Sequence, residues 1–253
     1  VRAPSATWTS SVTNRLLLEA AWGYVGFLYG RERSGNNRNM VRLTEQAGAI
    51  PGLTYGSMIW QRNQSFTPKW RASASYVTGA HNVKIGIDGL TFYQERIYLG
   101  NNQNLNYRLN NAVPNQLTMF VNDFKFNNVT KSFAAYAQNQ STLGRLTVQG
   151  GVRYDYGSSY APEQEIGPDR FLPNRIEFPR TTMVAGYHDI SPRIGVALDV
   201  FGTGKTSLKF NAGRYVQAVQ SGGRYTASNP LLTSIGGGEM DRARGLGRGR
   251  RVL

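Results

Sequence analysis

From Lys131 to Tyr156, hydrophobic and polar positions alternate with a period of two on both sides of a short polar turn, Ser141-Thr142-Leu143-Gly144-Arg145. Going in, Phe133, Ala135 and Ala137 fall on one face and Ser132, Tyr136, Gln138 and Gln140 on the other. Coming out, Leu146, Val148, Gly150, Val152 and Tyr154 share a face opposite Thr147, Gln149, Gly151, Arg153 and Asp155. A period of two belongs to strands, whose side chains point to opposite faces in turn, so the segment predicts a β-hairpin. Each arm is about ten residues long, the length a tilted strand needs to cross a bilayer.

The same alternation recurs along the chain. Leu16, Leu18, Ala20, Trp22 and Tyr24 alternate with Arg15, Leu17, Glu19, Ala21 and Gly23. A strand over Leu16–Tyr29 is favoured, because a helix would have to absorb Gly23 and Gly26. Trp70, Ala72, Ala74 and Tyr76 oppose Arg71, Ser73, Ser75 and Val77 up to a turn at residues 78–82. Val83, Ile85 and Ile87 then oppose Lys84, Gly86 and Asp88, with a phase change near Gly89 that suggests a bulge. A last hairpin runs from Ser191 to Phe201, turns at Gly202-Thr203-Gly204-Lys205 and leaves through Thr206 to Gln217. Between these elements the pattern dissolves three times. Residues 30–64 read as a long loop, and the Asn-rich residues 99–130 as a second one holding a short extra hairpin over Leu105 to Val121. Residues 157–190 contain Pro162, Pro168, Pro173 and Pro179, which exclude a central strand there.

Laid end to end, the pattern predicts seven strands, with short turns near residues 80, 143 and 203 and long loops near 45, 110 and 175. Short and long connections alternate without exception. Soluble sandwiches mix loop lengths at both ends, whereas outer-membrane barrels keep short turns on one side of the membrane and long loops on the other. The expected fold is therefore all-β, a partial antiparallel transmembrane β-barrel: an open curved sheet with long loops at one rim. The apolar faces then meet lipid, and the polar faces, with Arg153, Asp155, Arg193, Asp199 and Lys209, meet a wet interior. Trp22, Trp70, Tyr76, Tyr154 and Tyr156 are candidate girdle aromatics, the alternative being core packing in a soluble β domain. On this assignment Val152→Arg impairs assembly and Arg153→Gln is tolerated.

Composition adds limits. Cysteine is absent, which removes disulfides and thiolate metal sites. Lys and Arg total 29 against 15 acidic residues, a formal +14 that raises nucleic acid as a partner. Five of those arginines crowd into the last fifteen residues and the rest are spread thinly, so no basic face emerges and nucleic acid is not expected. Gly202-Thr203-Gly204-Lys205-Thr206 imitates the end of a phosphate-binding loop, but Asp199 stands where that loop needs glycine, and strands flank it. His81 and His188 are the only histidines and sit in no ligand cluster, while Glu163 and Glu165 lie in a proline-bounded loop. Neither a catalytic site nor a metal or cofactor site is expected.

A family resemblance rests on particular stretches: Ser132-Phe133-Ala134-Ala135-Tyr136-Ala137-Gln138, Gly144-Arg145-Leu146-Thr147-Val148, Gly151-Val152-Arg153-Tyr154-Asp155, Ser191-Pro192-Arg193-Ile194-Gly195-Val196-Ala197-Leu198-Asp199, and Gly204-Lys205-Thr206 with Gly213-Arg214-Tyr215. In order and spacing these resemble the barrel of TonB-dependent outer-membrane receptors. Thr78-Gly79-Ala80-His81-Asn82-Val83-Lys84-Ile85-Gly86 adds a likeness to the Oar-like branch, whose members carry a carboxypeptidase-regulatory-like domain. The resemblance spans residues 7–235 and implies a 22-stranded barrel with an internal plug, seated in the cell outer membrane and energised by the TonB complex through upstream parts. It implies uptake of a small solute, whether siderophore, saccharide or peptide. A passive porin and a soluble basic nucleic-acid-binding β protein are the alternatives. The domain expectation is a partial barrel over 1–235 and a basic Gly/Arg-rich tail over 236–253. That tail, from Gly236-Gly237-Gly238 through Arg242, Arg244, Arg248, Arg250 and Arg251, shows no alternation and is expected to be disordered or read out of frame.

Overall fold

The structure is a computed structural model and describes residues 1–30, 36–48, 50–56, 60–119, 121, 124–217 and 229–231. The predicted tail over 236–253 lies outside the described residues. The described residues form fourteen strands, in chain order: β1 (Ser5–Ser11), β2 (Leu16–Gly30), β3 (Arg42–Ala47), β4 (Thr54–Gly56), β5 (Trp60–Thr78), β6 (His81–Leu99), β7 (Leu105–Asn110), β8 (Val113–Met119), β9 (Phe124–Leu143), β10 (Leu146–Ala161), β11 (Gln164–Ile166), β12 (Ile176–Phe178), β13 (Thr181–Asp199) and β14 (Ser207–Gly213).

Eight of them make one antiparallel sheet in the order β1-β2-β5-β6-β9-β10-β13-β14. It is an open meander: among the described residues the outer edges of β1 and β14 carry no strand partner. Gly79 at φ 53° and Gly144 at φ 60° supply the left-handed conformation that the tight β5–β6 and β9–β10 turns require. Successive hairpins are staggered. Leu16, where β2 begins, pairs with Tyr76, two residues short of the end of β5; His81, where β6 begins, pairs with Ser141, two residues short of the end of β9. Such a repeated offset tilts the strands, as barrel geometry demands.

The sheet has one more strand than the alternation predicts, because β1 reads Ser-Ala-Thr-Trp-Thr-Ser-Ser and offers only Trp8 as a large apolar residue. Strands also extend into the expected loops: β5 starts at Trp60, β10 runs on to Ala161 and β13 starts at Thr181. There is no bulge at Gly89, whose pairing with Trp70 and Phe133 continues the register of β6 on both sides. The irregularity lies elsewhere, between β10 and β13 around Ser159.

The long loops fold among themselves. The expected extra hairpin is present as β7–β8, but β3 pairs with β7 in parallel, so two loops combine into a four-stranded sheet ordered β4-β3-β7-β8. The Glu45 carboxylate accepts the backbone N–H groups of Asn111 (3.0 Å) and Ala112 (2.9 Å), the two positive-φ residues of the β7–β8 turn. The proline-bounded loop forms the small β11–β12 pair, and Phe126, Ile166, Phe178 and Leu231 bury one another beneath it. Asn104 donates to Asp169 at 2.6 Å, and Arg170 to the Gln103 carbonyl at 2.9 Å, tying the Asn-rich loop to the proline-bounded one.

Candidate functional site

The eight-stranded sheet is apolar on one face and polar on the other. On the apolar face Trp8, Trp22, Ile85, Val152, Ile194, Leu208 and Phe210 are each about half exposed or more, an arrangement that water penalises and lipid does not. Aromatic rings line that face toward the long-loop rim. Trp22 meets Tyr24 (6.0 Å between centroids), Tyr24 meets Phe66 (4.8 Å) and Phe66 meets Tyr93 (6.2 Å). Trp70 meets Phe133 at 6.2 Å, and Tyr154 and Tyr156 both meet His188. Tyr76 lies near the turn rim of the same face, ten residues from Phe66 along β5. At about 3.3 Å per residue and a tilt of about 40°, that separation spans about 25 Å of height, the depth of the apolar band of an outer-membrane barrel. Of the five aromatics singled out from the sequence, all lie on this face.

The polar face carries a charged network that joins strands far apart in sequence. Arg153 forks its guanidinium onto Asp88, Nη1 to Oδ2 at 2.7 Å and Nη2 to Oδ1 at 3.1 Å, while its Nε donates to Asp155 at 2.9 Å. Its plane also lies 6.0 Å from the Tyr136 ring. Alternation places Tyr136 there, and Gly86 opposite it has no side chain because a Cβ would come within 2.5 Å of that ring. A second cluster has Lys84 donating to Glu19 at 2.6 Å, with Ser73 donating to the same carboxylate oxygen at 3.2 Å. Between and beside these pairs runs an open groove of about 740 Å³, lined among others by Arg71, Lys84, Asp88, Gln138, Arg153 and Arg193.

The five residues expected on the polar face share it by register but do different work. Arg153 and Asp155 belong to the network. Arg193 lines the groove and stacks on Tyr215 at 4.5 Å. Lys209 faces Ala197 across β13–β14 and is exposed at the turn rim. Asp199 caps its own turn instead, accepting the N–H groups of Gly202 (3.0 Å) and Gly204 (2.9 Å), so the phosphate-loop look-alike is a carboxylate-capped hairpin turn. Glu19, Arg71, Lys84 and Asp88 complete the surface; each lies in the polar phase of its strand, which is the signal that finds them. His81 bonds Ser141 at 2.8 Å, His188 bonds Tyr154 at 2.7 Å, and Glu165 pairs with Arg175 at 3.2 Å. No group of His, Asp and Glu suited to a metal ion occurs among the described residues.

Comparison with known proteins agrees with this geometry. The chain resembles the solved structures of the copper transporter OprC (13% identity, TM-score 0.50, 83% of this chain and 30% of that one) and the ferric citrate transporter FecA (12%, 0.47, 83% and 26%). It also resembles the ferric-catecholate import receptor Fiu from E. coli K12 (13%, 0.42, 78% and 30%). The likeness is one of fold, and the chain spans less than a third of each of those structures. No curated protein matches. The family model for the TonB dependent receptor-like β-barrel matches residues 3–242, nearly the whole chain, and the chain belongs to that family.

Proposed function

We propose that this chain forms part of the barrel wall of a TonB-dependent receptor in the cell outer membrane, one that takes up a small solute by active transport. The observation that carries the reading is the two-faced sheet: an apolar face with rings near both rims, backed by a polar face whose charges are tied across β6 and β10. Lipid on one side and a wet, substrate-conducting interior on the other account for both. Arg153, Asp155, Arg193 and Lys209 then face the lumen, and Asp199 holds the turn at the periplasmic rim. At the centre of the polar face Asp155 Oδ2 and Ser191 Oγ are buried without a partner among the described residues, which suits an interior domain or ordered water that would satisfy them.

Family membership favours the receptor over a passive porin, and the motif at Thr78–Gly86 favours its Oar-like branch. TonB would engage parts of the receptor outside this barrel segment. The solute is a siderophore, a saccharide or a peptide. The test is conductance of the complete receptor in planar bilayers. A plugged receptor shows no steady open current and acquires one when its plug is removed; a steady current from the intact protein would make it a passive pore.

A further inference from the structure

The long loop between β2 and β5 and the one between β6 and β9 are separated in the chain by the β5–β6 hairpin, yet they share one sheet. β3, from the first loop, lies parallel to β7, from the second, with Leu43 opposite Tyr107, Thr44 opposite Arg108 and Glu45 opposite Leu109. After Glu45 the register slips, so that Ala47 stands opposite Asn110. At that slip a side chain joins the two loops.

Glu45 is bonded at every polar atom it has. Its N–H donates to the Leu53 carbonyl at 2.8 Å and its carbonyl accepts the Gly52 N–H at 2.7 Å, which closes the β3–β4 turn of its own loop. Its Oε1 accepts the N–H groups of Ala47 (3.1 Å) and Asn111 (3.0 Å), and its Oε2 accepts that of Ala112 (2.9 Å). A charged acceptor makes such bonds stronger than a neutral one does. One residue thus holds the turn of one loop with its backbone and the turn of the other with its carboxylate.

The β7–β8 turn depends on that hold. Asn111 (φ 51°) and Ala112 (φ 64°) are both left-handed, as a two-residue hairpin turn requires, and the favoured pair for such a turn is asparagine followed by glycine. Here the second place holds alanine, whose Cβ disfavours that conformation. The carboxylate from the other loop offsets the cost by collecting both N–H groups, so the conformation of the second loop depends on the first. Gln46 adds exposed amide contacts to Gln116 (3.0 Å) and Asn115 (3.3 Å), which carry no charge and do not touch the turn.

We infer that Glu45 couples the two loops, so that neither opens without the other. The inference rests on the barrel reading above, which sets both loops at the outer mouth. Coupling is reciprocal: whatever steadies or loosens one loop does the same to the other. A solute that favours one state of either loop therefore shifts both, and the mouth beside the β5–β6 hairpin answers as one element.

Hydrogen exchange of the complete receptor in detergent, read peptide by peptide in a mass spectrometer, tests the coupling. The perturbation is Gly52→Val: Gly52 has φ 80°, where valine is strained, and nothing lies within 4 Å of the place its Cβ would take. In the wild-type background it should speed exchange by at least about fivefold both over residues 42–47 and over residues 105–113. The uncoupled background is Glu45→Gln/Ala112→Gly, in which glycine holds the turn that the carboxylate no longer does. There the same perturbation should stay within 42–47 and change 105–113 by less than about twofold. Ala112→Gly alone and Gln46→Ala are the controls, and both should still transmit it. Transmission that persists in the uncoupled background, that is lost in either control, or that is absent from the wild-type background would overturn the proposal. Loss of slow exchange in β6, β9 and β10 of the wild type counts against the barrel, whereas protected barrel strands with no transmission count against the coupling alone.

Discussion

Replacing Val152 by arginine puts a charge where the face assignment says lipid lies. Val152 is 49% exposed on the apolar face, six residues beyond the start of β10 at Leu146 and four short of Tyr156 in the belt. At about 2.5 Å per residue it stands about 15 Å above the turn rim and about 10 Å below the belt, close to the middle of a band about 25 Å deep. Arginine at the midplane of such a barrel costs about 2–4 kcal/mol, or about 30- to 700-fold in the folding equilibrium at about 1.4 kcal/mol per decade. Gln149 is the control: it lies three residues away on the same strand, on the polar face and exposed, so Gln149→Arg should change the equilibrium by less than about threefold, within the roughly 0.5 kcal/mol of ordinary surface substitutions. The assay refolds the complete receptor from urea into phosphatidylcholine vesicles and reads the folded fraction by heat-modifiable mobility. Equal folding of the two variants, or a greater loss from Gln149→Arg, would refute the assignment of faces.

Three further outcomes are expected. Arg153→Gln, which the alternation alone marks as harmless, should destabilise the receptor by about 1–2 kcal/mol after solvent screening, because it strands Asp88 and Asp155; adding Asp88→Asn should restore part of the loss in the same refolding assay. Gly89→Val should displace the Trp70 indole, since a Cβ there would stand 2.7 Å from Trp70 Cζ2, and should cost about 1–3 kcal/mol with a shift in tryptophan emission, whereas Gly150→Ala, in open space, should show neither. The chain expressed alone should associate in plain buffer and disperse in detergent, because the outer edges of β1 and β14 find no strand among the described residues and the apolar face is bare; a sharp monomer peak on size exclusion in plain buffer with cooperative unfolding would return the soluble β protein to first place.

What the sequence disclosed and what it hid divide along local and non-local physics. The strand alternation is local, so the hairpins at Gly79 and Gly144 and the two faces of β5, β6, β9 and β10 are readable from residue type alone. β1 escaped because its polar residues carry no apolar phase, and its strand conformation comes from pairing with β2. Gly89 mimicked a bulge; its missing side chain is space for Trp70 on the neighbouring strand, a cross-strand fact. The parallel pairing of β3 with β7 joins loops some 60 residues apart, and Arg153 meets Asp88 across 65 residues. A single sequence states neither. Pro192 shows the converse limit: it lies within β13 opposite Val152, near where the pairing with β14 gives out and so where a missing N–H costs little.

Among the described residues the positive charge, the one global feature that pointed toward nucleic acid, is partitioned by this fold rather than gathered. Lys84, Lys125, Arg153, Arg175 and Arg214 each hold a carboxylate. Of the cations that hold none among the described residues, Arg71 and Arg193 look into the groove on the polar face, while Lys131 and Arg180 stand on the opposite face around Tyr160. A duplex needs a continuous row of cations on one surface to follow its phosphates. Here Arg71 and Arg193 are separated from Lys131 and Arg180 by the full thickness of a sheet, and the cations of the polar face are interrupted by Asp88, Asp155 and Glu19. Point-like anions meet no such obstacle. Anionic groups on whatever passes or fills the interior can meet single cations of the polar face, such as Arg71 and Arg193, without needing a continuous cationic row.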